Sequence, residues 1–319
     1  MKTRVFAIIA CLFIIMQQVS SQQFYQYSQY MNRPVLYNPA ASGKDDAVGM
    51  YAGGRYQWIG YTDQDDENVY PKNYVVGVNM PFYNINSGMG LQFNFEQIGY
   101  QSRMDLRLDY AYKIELKKDR YLALGINAQV SRFSLDVSKL MPADMQDPLL
   151  LELGDQSDLI PEAGFGIFYN DPKKWWGGIS VLNLIGSTAQ LENIEMKDQP
   201  TLVAQGQYRF HVNKSKYSKF DIAPSLLVKS NFSSTQAEVD LVGYLKDRYW
   251  FGAGYRFQDG VILLAGLQVK NFYAGLSYDF ITSQLREATN TGSVELHIGY
   301  NIPIYPKVEC HSGFNVRHL

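Results

Sequence analysis

The chain has 319 residues and a mass of 36.4 kDa, is 46% hydrophobic and 19% charged, and carries a formal net charge of −2 with a pI near 6.1. Its apolar content excludes intrinsic disorder, and its charge balance leaves no electrostatic footprint for nucleic acid. After the first 16 residues the longest apolar run is 261–267, far short of the ~20 residues of a spanning helix, so a polytopic helical membrane protein is excluded too.

The chain opens with Lys2 and Arg4, an apolar stretch at 5–16 and the small-residue site Val19-Ser20-Ser21. This reads as a secretory signal peptide over residues 1–21, with the mature chain starting near Gln22. The competing lipoprotein reading, on Ile8-Ile9-Ala10-Cys11, leaves an apolar core shorter than a cleaved signal uses. With the signal removed Cys310 stands alone, so no internal disulfide is expected and the exported chain relies on another stabilising framework.

Residues 22–47 form a polar, Tyr- and Gln-rich stretch. Pro34 and Pro39 lack donors and restrict their predecessors, which excludes a helix or a central strand. Asn38-Pro39 favours a turn, and Gly43 can supply a positive φ before the next element. The backbone of this stretch needs partners. Folding into a lumen as a plug from the periplasmic side would provide them; the alternative is a periplasmic lead-in.

From residue 48 onward the period is two. Met104, Leu106, Leu108, Tyr110, Tyr112, Ile114 and Leu116 fall on one face, and Asp105, Arg107, Asp109, Lys113 and Glu115 on the other. A helix cannot sort residues in this way. The same pattern recurs in Met89, Leu91, Phe93 and Phe95, in Tyr249, Phe251, Ala253 and Tyr255, and in Val294, Leu296, Ile298 and Tyr300. Fourteen strands over residues 48–302 leave about 18 residues for each strand and its connection, in line with membrane-crossing strands of ~10 residues. Apolar residues on one face, charges and glycines on the other, and aromatic strand ends predict an all-β, antiparallel, up-and-down transmembrane β-barrel rather than a soluble sandwich. Connections alternate between short and long, with 84–86, 117–120 and 170–174 short against 59–69, 134–160 and 183–199 long, although two on the long side, near Gly99 and Asp259, are short. Short turns are periplasmic in outer-membrane barrels, so both termini, including a tail at 303–319, are expected in the periplasm.

Charge follows the same division. Lys117, Lys118, Arg120, Lys173, Lys174, Lys246 and Arg248 lie at short turns, whereas the long loops are acidic, as in Asp63, Asp65, Asp66 and Glu67. The turns read either as solvated surface or as a basic periplasmic rim that steers an acidic partner. The acidic loop lacks the Gly and Glu of a calcium loop, with Asn68 and Tyr74 in those places. Of the four histidines only His297 is expected on a polar strand face, beside Glu295; such a pair is more often structural than catalytic. No phosphate loop or nucleophile elbow is present, and Cys310-His311 is too short a signal for zinc. No catalytic, cofactor or metal residue is assigned. Inward charges (Arg107, Asp109, Arg209, Asp240, Arg256, Asp279) would either line a pore or pair into a network that closes it.

Ser28-Gln29-Tyr30 and Asn38-Pro39-Ala40, with Gly43 closing the segment, resemble the start of the PorP/SprF family of Bacteroidetes. The blocks Pro161-Glu162-Ala163-Gly164-Phe165-Gly166-Ile167, Trp176-Gly177-Gly178-Ile179-Ser180, Tyr255-Arg256 and Leu276-Ser277-Tyr278-Asp279 are similar to its later strands. One departure stands out: Val294-Glu295 replaces an expected His-Glu pair. The resemblance implies a non-enzymatic outer-membrane component of type IX secretion and gliding. Such a component assists export or surface attachment of secreted cargo such as adhesins. Expected partners are the cargo C-terminal domain, translocon subunits, outer-membrane lipid and a periplasmic protein at the basic turns. Two other readings stand beside it: a passive channel of the fatty-acid-transporter type, and an anchor between the outer membrane and periplasmic partners.

Overall fold

A computed structural model describes residues 25–63, 67–117, 120–136, 156–191, 194–213, 219–283 and 291–304. The signal peptide, Lys118, Cys310, most of the tail and most of the loop within 134–160 lie outside them.

The strands are β1 (Ala47–Tyr56), β2 (Lys72–Phe82), β3 (Ser87–Ile98), β4 (Gln101–Lys117), β5 (Arg120–Leu135), β6 (Gln156–Asp171), β7 (Trp175–Leu182), β8 (Thr188–Leu191), β9 (Ile194–Lys197), β10 (Thr201–Tyr208), β11 (Phe210–Asn213), β12 (Phe220–Ser230), β13 (Thr235–Leu245), β14 (Tyr249–Arg256), β15 (Gly260–Val269), β16 (Phe272–Ile281) and β17 (Ser293–Pro303). Each barrel strand pairs antiparallel with its neighbours, and β1 meets β17 from Ala47↔Pro303 to Tyr56↔Val294. That seam closes the sheet. β10 and β11 are two parts of one barrel strand, interrupted at Arg209 and both paired with β12. The result is a closed fourteen-stranded antiparallel barrel, with β8–β9 as a separate hairpin. Closure leaves no sheet edge unpaired, the condition for strands in a bilayer.

Alternation sets the two faces. Val76, Leu91, Phe93, Leu106, Leu108 and Ile126 are exposed on the outer wall, while Gln92, Asn94, Asp105, Arg107 and Asp109 are buried inside. An apolar exterior and a polar interior are stable in lipid, where the exterior contacts acyl chains. Turn chemistry defines one end: Lys246 and Asp247 both take positive φ (56° and 53°) in the β13–β14 turn, as a tight primed hairpin turn requires. The sequence presents 183–199 as a plain loop. In the structure it contains β8–β9, which packs Ala189, Leu191 and Met196 against Phe133 and Ile160 at the long-loop end.

Candidate functional site: a filled lumen and its two mouths

Residues 25–43 occupy the lumen, and all of them except Asn32 are buried. The prolines shape the path. Pro34 and Pro39 each open a single 3₁₀ turn, Pro34–Leu36 and Pro39–Ala41, where a missing N–H costs nothing. Asn38 caps the second turn by accepting from Ala40 N at 2.9 Å, and its Nδ2 donates to the Ile167 and Ile179 carbonyls on β6 and β7. Plug carbonyls that no helix or sheet satisfies are taken by wall side chains. Arg107 donates to Val35 O (2.6 Å) and Leu36 O (3.1 Å), Gln205 to Pro34 O (2.8 Å) and Ser180 to Tyr37 O (2.6 Å). Lys113 donates to Gly43 O.

Ser28 is the most densely bonded point. Its backbone N–H and that of Gln29 donate to the two oxygens of Glu295, at 2.7 and 3.0 Å. Its hydroxyl donates to Asp279 and accepts from Arg55 and Arg256, both at 2.9 Å. Arg55 and Arg256 also share Asp279 (2.7 and 2.6 Å), and Arg256 reaches Glu238 at 2.6 Å. These buried charges are paired and hydrogen-bonded, the arrangement that makes their desolvation tolerable. Tyr30 donates to Asp240 at 2.8 Å and Tyr27 to Asn73 at 2.5 Å.

Inward glycines leave room for this segment. A Cβ on Gly125 would strike the Pro39–Ala40 backbone, and one on Gly88 the Ser42 carbonyl. The glycines of the polar face mark close approach of a second backbone.

The plug runs nearly the length of the barrel. Tyr25 donates to Asp105 near the long-loop end, whereas Arg33 binds Tyr273 (2.6 Å) and Asn301 (3.1 Å) near the short-turn end. At the long-loop mouth Arg103 joins plug to hairpin: it lies over Tyr25 and Phe133, and grips Asp198, just beyond β9, at 2.7 and 2.9 Å. Burial raises the Asp198 carboxyl above its usual range, against the lowering pull of Arg103. Neither Arg103 nor Arg55 stands out in the sequence.

At the short-turn mouth cations and carboxylates interleave. Arg120 pairs with Asp171 (2.9 Å), Arg209 with Asp221 (2.7 Å) and Asp247 (2.5 Å), and Lys219 with Asp247 (2.5 Å). Lys173, Lys174, Lys246 and Arg248 are exposed at the turns; the Lys117 side chain and Lys118 lie outside the described residues. Burial favours the neutral acid at Asp45, but Lys44 and Arg33 outweigh it and hold the carboxyl below its usual range. Among the described residues two histidines, not one, meet carboxylates on the polar side: His297 with Glu295 (3.1 Å), and His211 with Asp221 (2.8 Å) at the rim. Glu295 is committed to the plug amides, so this pair is part of the packing. Among the described residues no group of three or more His, Cys, Asp or Glu is placed to hold a metal ion.

The family model described as "Type IX secretion system membrane protein PorP/SprF" matches residues 19–300, most of the chain. The chain belongs to the PorP/SprF family. No curated protein matches it. Solved structures similar to this PorP/SprF chain are outer-membrane barrels and channels. A FadL homologue of Pseudomonas aeruginosa has 10% identity and TM-score 0.46, covering 85% of this chain and 94% of that one. The CymD monoaromatic hydrocarbon channel has 12% identity and TM-score 0.48 over 90% and 95%. Omp33 of Acinetobacter baumannii has 7% identity and TM-score 0.43 over 80% and 98%. The PorP/SprF chain is a membrane component of type IX secretion, built as a closed fourteen-stranded β-barrel.

Proposed function

We propose that this barrel assists the export or surface attachment of particular secreted cargo, by recognition rather than by chemistry. The observation that carries the reading is the filled lumen. The plug is tied to the wall on every side, through Ser28, Arg107, Asn38 and Arg33, so among the described residues the lumen is occupied and the barrel offers its two ends to partners. Long loops face outward and receive the cargo C-terminal domain. Short turns face the periplasm, where translocon subunits meet the exposed Lys173, Lys174, Lys246 and Arg248. Tyr-rich surfaces suit contacts that are half apolar and half wet. Residues 1–21 act as the export signal, 22–47 as the plug, 48–302 as the barrel and 303–319 as a tail.

The test is affinity purification of the tagged chain from its native outer membrane in mild detergent, with co-purified chains identified by mass spectrometry. Secreted adhesins or translocon subunits are expected. A barrel recovered alone that conducts in a planar bilayer would overturn the reading in favour of a transporter.

A further inference from the structure

At the short-turn end the plug fills only part of the lumen. Between it and the wall from β7 round to β17 lies a cavity of about 380 Å³, and a second of about 290 Å³ adjoins it, sharing Lys44, Asp45, Trp176, Gln207 and Arg209. Each is small on the scale of ligand clefts, roughly 300–1,000 Å³. The larger cavity is lined by both rings and amides. The rings of Trp176, Tyr244, Trp250 and Tyr273 stand beside the planar amides of Gln207 and Gln268, which pair across the sheet with Trp176 and Tyr273. Met31 is its one aliphatic lining residue.

Three cations are held in place here by rings: Arg33 over Tyr273 at 4.4 Å, Arg209 over Tyr244 at 4.6 Å and Lys44 over Trp176 at 5.6 Å. Asp45 faces Arg33 and Lys44, and Asp247 faces Arg209. Charge is therefore nearly balanced, so the lining selects neither an anion nor a cation. The buried indole N–H of Trp250 finds no acceptor among the described residues. Aromatic rings set beside mixed donors and acceptors match a ligand with an apolar ring face and hydroxyls or amides round its edge. A protein segment adding as a strand would need a free sheet edge, and the closed ring provides none at this wall.

We infer that the short-turn mouth is a saccharide-binding site whose ligand is a glycan strand of the cell wall, an N-acetylhexosamine polymer. The inference rests on the proposed orientation of the short turns, while the site itself is separate from the long-loop end that receives cargo. With the short turns in the periplasm, the cavity opens toward the compartment in which such strands lie.

Saturation-transfer NMR on the full chain in detergent micelles tests this, with chitotetraose, soluble cell-wall glycan strands and lipopolysaccharide core oligosaccharide as separate probes. Transfer to the first two is expected. It should weaken about tenfold or more when the Gln207 and Gln268 amides are removed in the double variant Gln207→Leu, Gln268→Leu. That variant must still shift on unboiled gels as a folded barrel; should it not, Gln268→Leu alone, at an exposed position, provides the comparison. The inference is overturned by absence of transfer to either N-acetylhexosamine probe, or by transfer that the substitutions leave unchanged. Transfer to the lipopolysaccharide core alone overturns it as well. So does a periplasmic protein that cross-links at position 268 while the saccharides stay silent.

Discussion

Replacing Glu295 by Ala should unseat the plug while leaving the barrel closed. The carboxylate accepts from two successive buried N–H groups, Ser28 at 2.7 Å and Gln29 at 3.0 Å, and lies 3.3 Å from Arg55 Nη1. Arg55 keeps Asp279 at 2.7 Å, so the substitution does not strand a lone charge. What it strands is two backbone donors, each costing about 1–3 kcal/mol when buried without a partner, while His297, 3.1 Å away, also loses its carboxylate. The combined loss is about 2–6 kcal/mol. At ~1.4 kcal/mol per decade, a mid-range loss near 4 kcal/mol raises the population of the unseated plug by roughly a thousandfold. Hydrogen exchange read by mass spectrometry should show amides 25–38 exchanging faster by that order, with β3–β5 unchanged. Planar bilayers should register conductance absent from the parent. Glu295→Gln keeps one acceptor and should fall between the two. The reasoning is refuted if plug amides keep their protection and the variant stays silent.

Three further outcomes follow from the same geometry. Gly125→Leu drives a side chain into the Pro39–Ala40 backbone, beyond the ~1–3 kcal/mol of ordinary overpacking, and should give a folded but conducting barrel; a silent barrel would show that the plug can yield there. Arg103→Met removes the partner of Asp198 and Asp105, a loss of about 3–5 kcal/mol for a broken buried pair; protease should then cut within 188–197, where resistance equal to the parent's would contradict the clamp. Asp45 has its folded-state pKa lowered, chiefly by Lys44 and Arg33 against the raising effect of burial. Its contribution is present above the unfolded value of ~3.9 and is lost as pH falls through the lower folded one. Fluorescence of Trp176, over which Lys44 lies at 5.6 Å, should therefore change below about pH 4 in the parent but not in Asp45→Asn, and identical titrations would refute the assignment.

The barrel wall is legible in the sequence because its cause is local. Each residue from Met104 to Leu116 faces lipid or lumen by parity alone, and Leu106 is exposed where Asp105 and Arg107 are buried. Pro34 and Pro39 likewise announce an irregular segment, since their restraints act on adjacent residues. What the plug touches is a different matter. Ser28 meets Glu295 across 267 positions, and no period or spacing records such a pair. Arg103 draws no notice in the sequence until Asp198 and Tyr25 are brought to it. The β8–β9 hairpin is hidden for a related reason: its strands of four residues are too short to display a period. His211 shares the parity of inward Arg209, but its partner Asp221 comes to it only when β11 pairs with β12. The basic turns are visible as a composition, but their interleaving with Asp171, Asp221 and Asp247 depends on strands folded side by side.

The seam between β1 and β17 has a consequence for biogenesis. The stretch that fills the lumen immediately precedes the first strand in the chain, while the strand completing the enclosure is the last. Entry after closure would mean threading a bulky, many-bonded segment along a cylinder whose far end is capped by a hairpin. The simpler order lets the early segment gather the inner faces of the strands as they arrive, with the first-to-last pairing sealing them around it. Contacts as distant as Ser28 with Glu295 delay their reward until nearly the whole chain is present. A slow final step and a long-lived open-sided intermediate are therefore expected. Substitutions that loosen the inner segment should then first become apparent as defects in barrel yield, before any change at the cell surface.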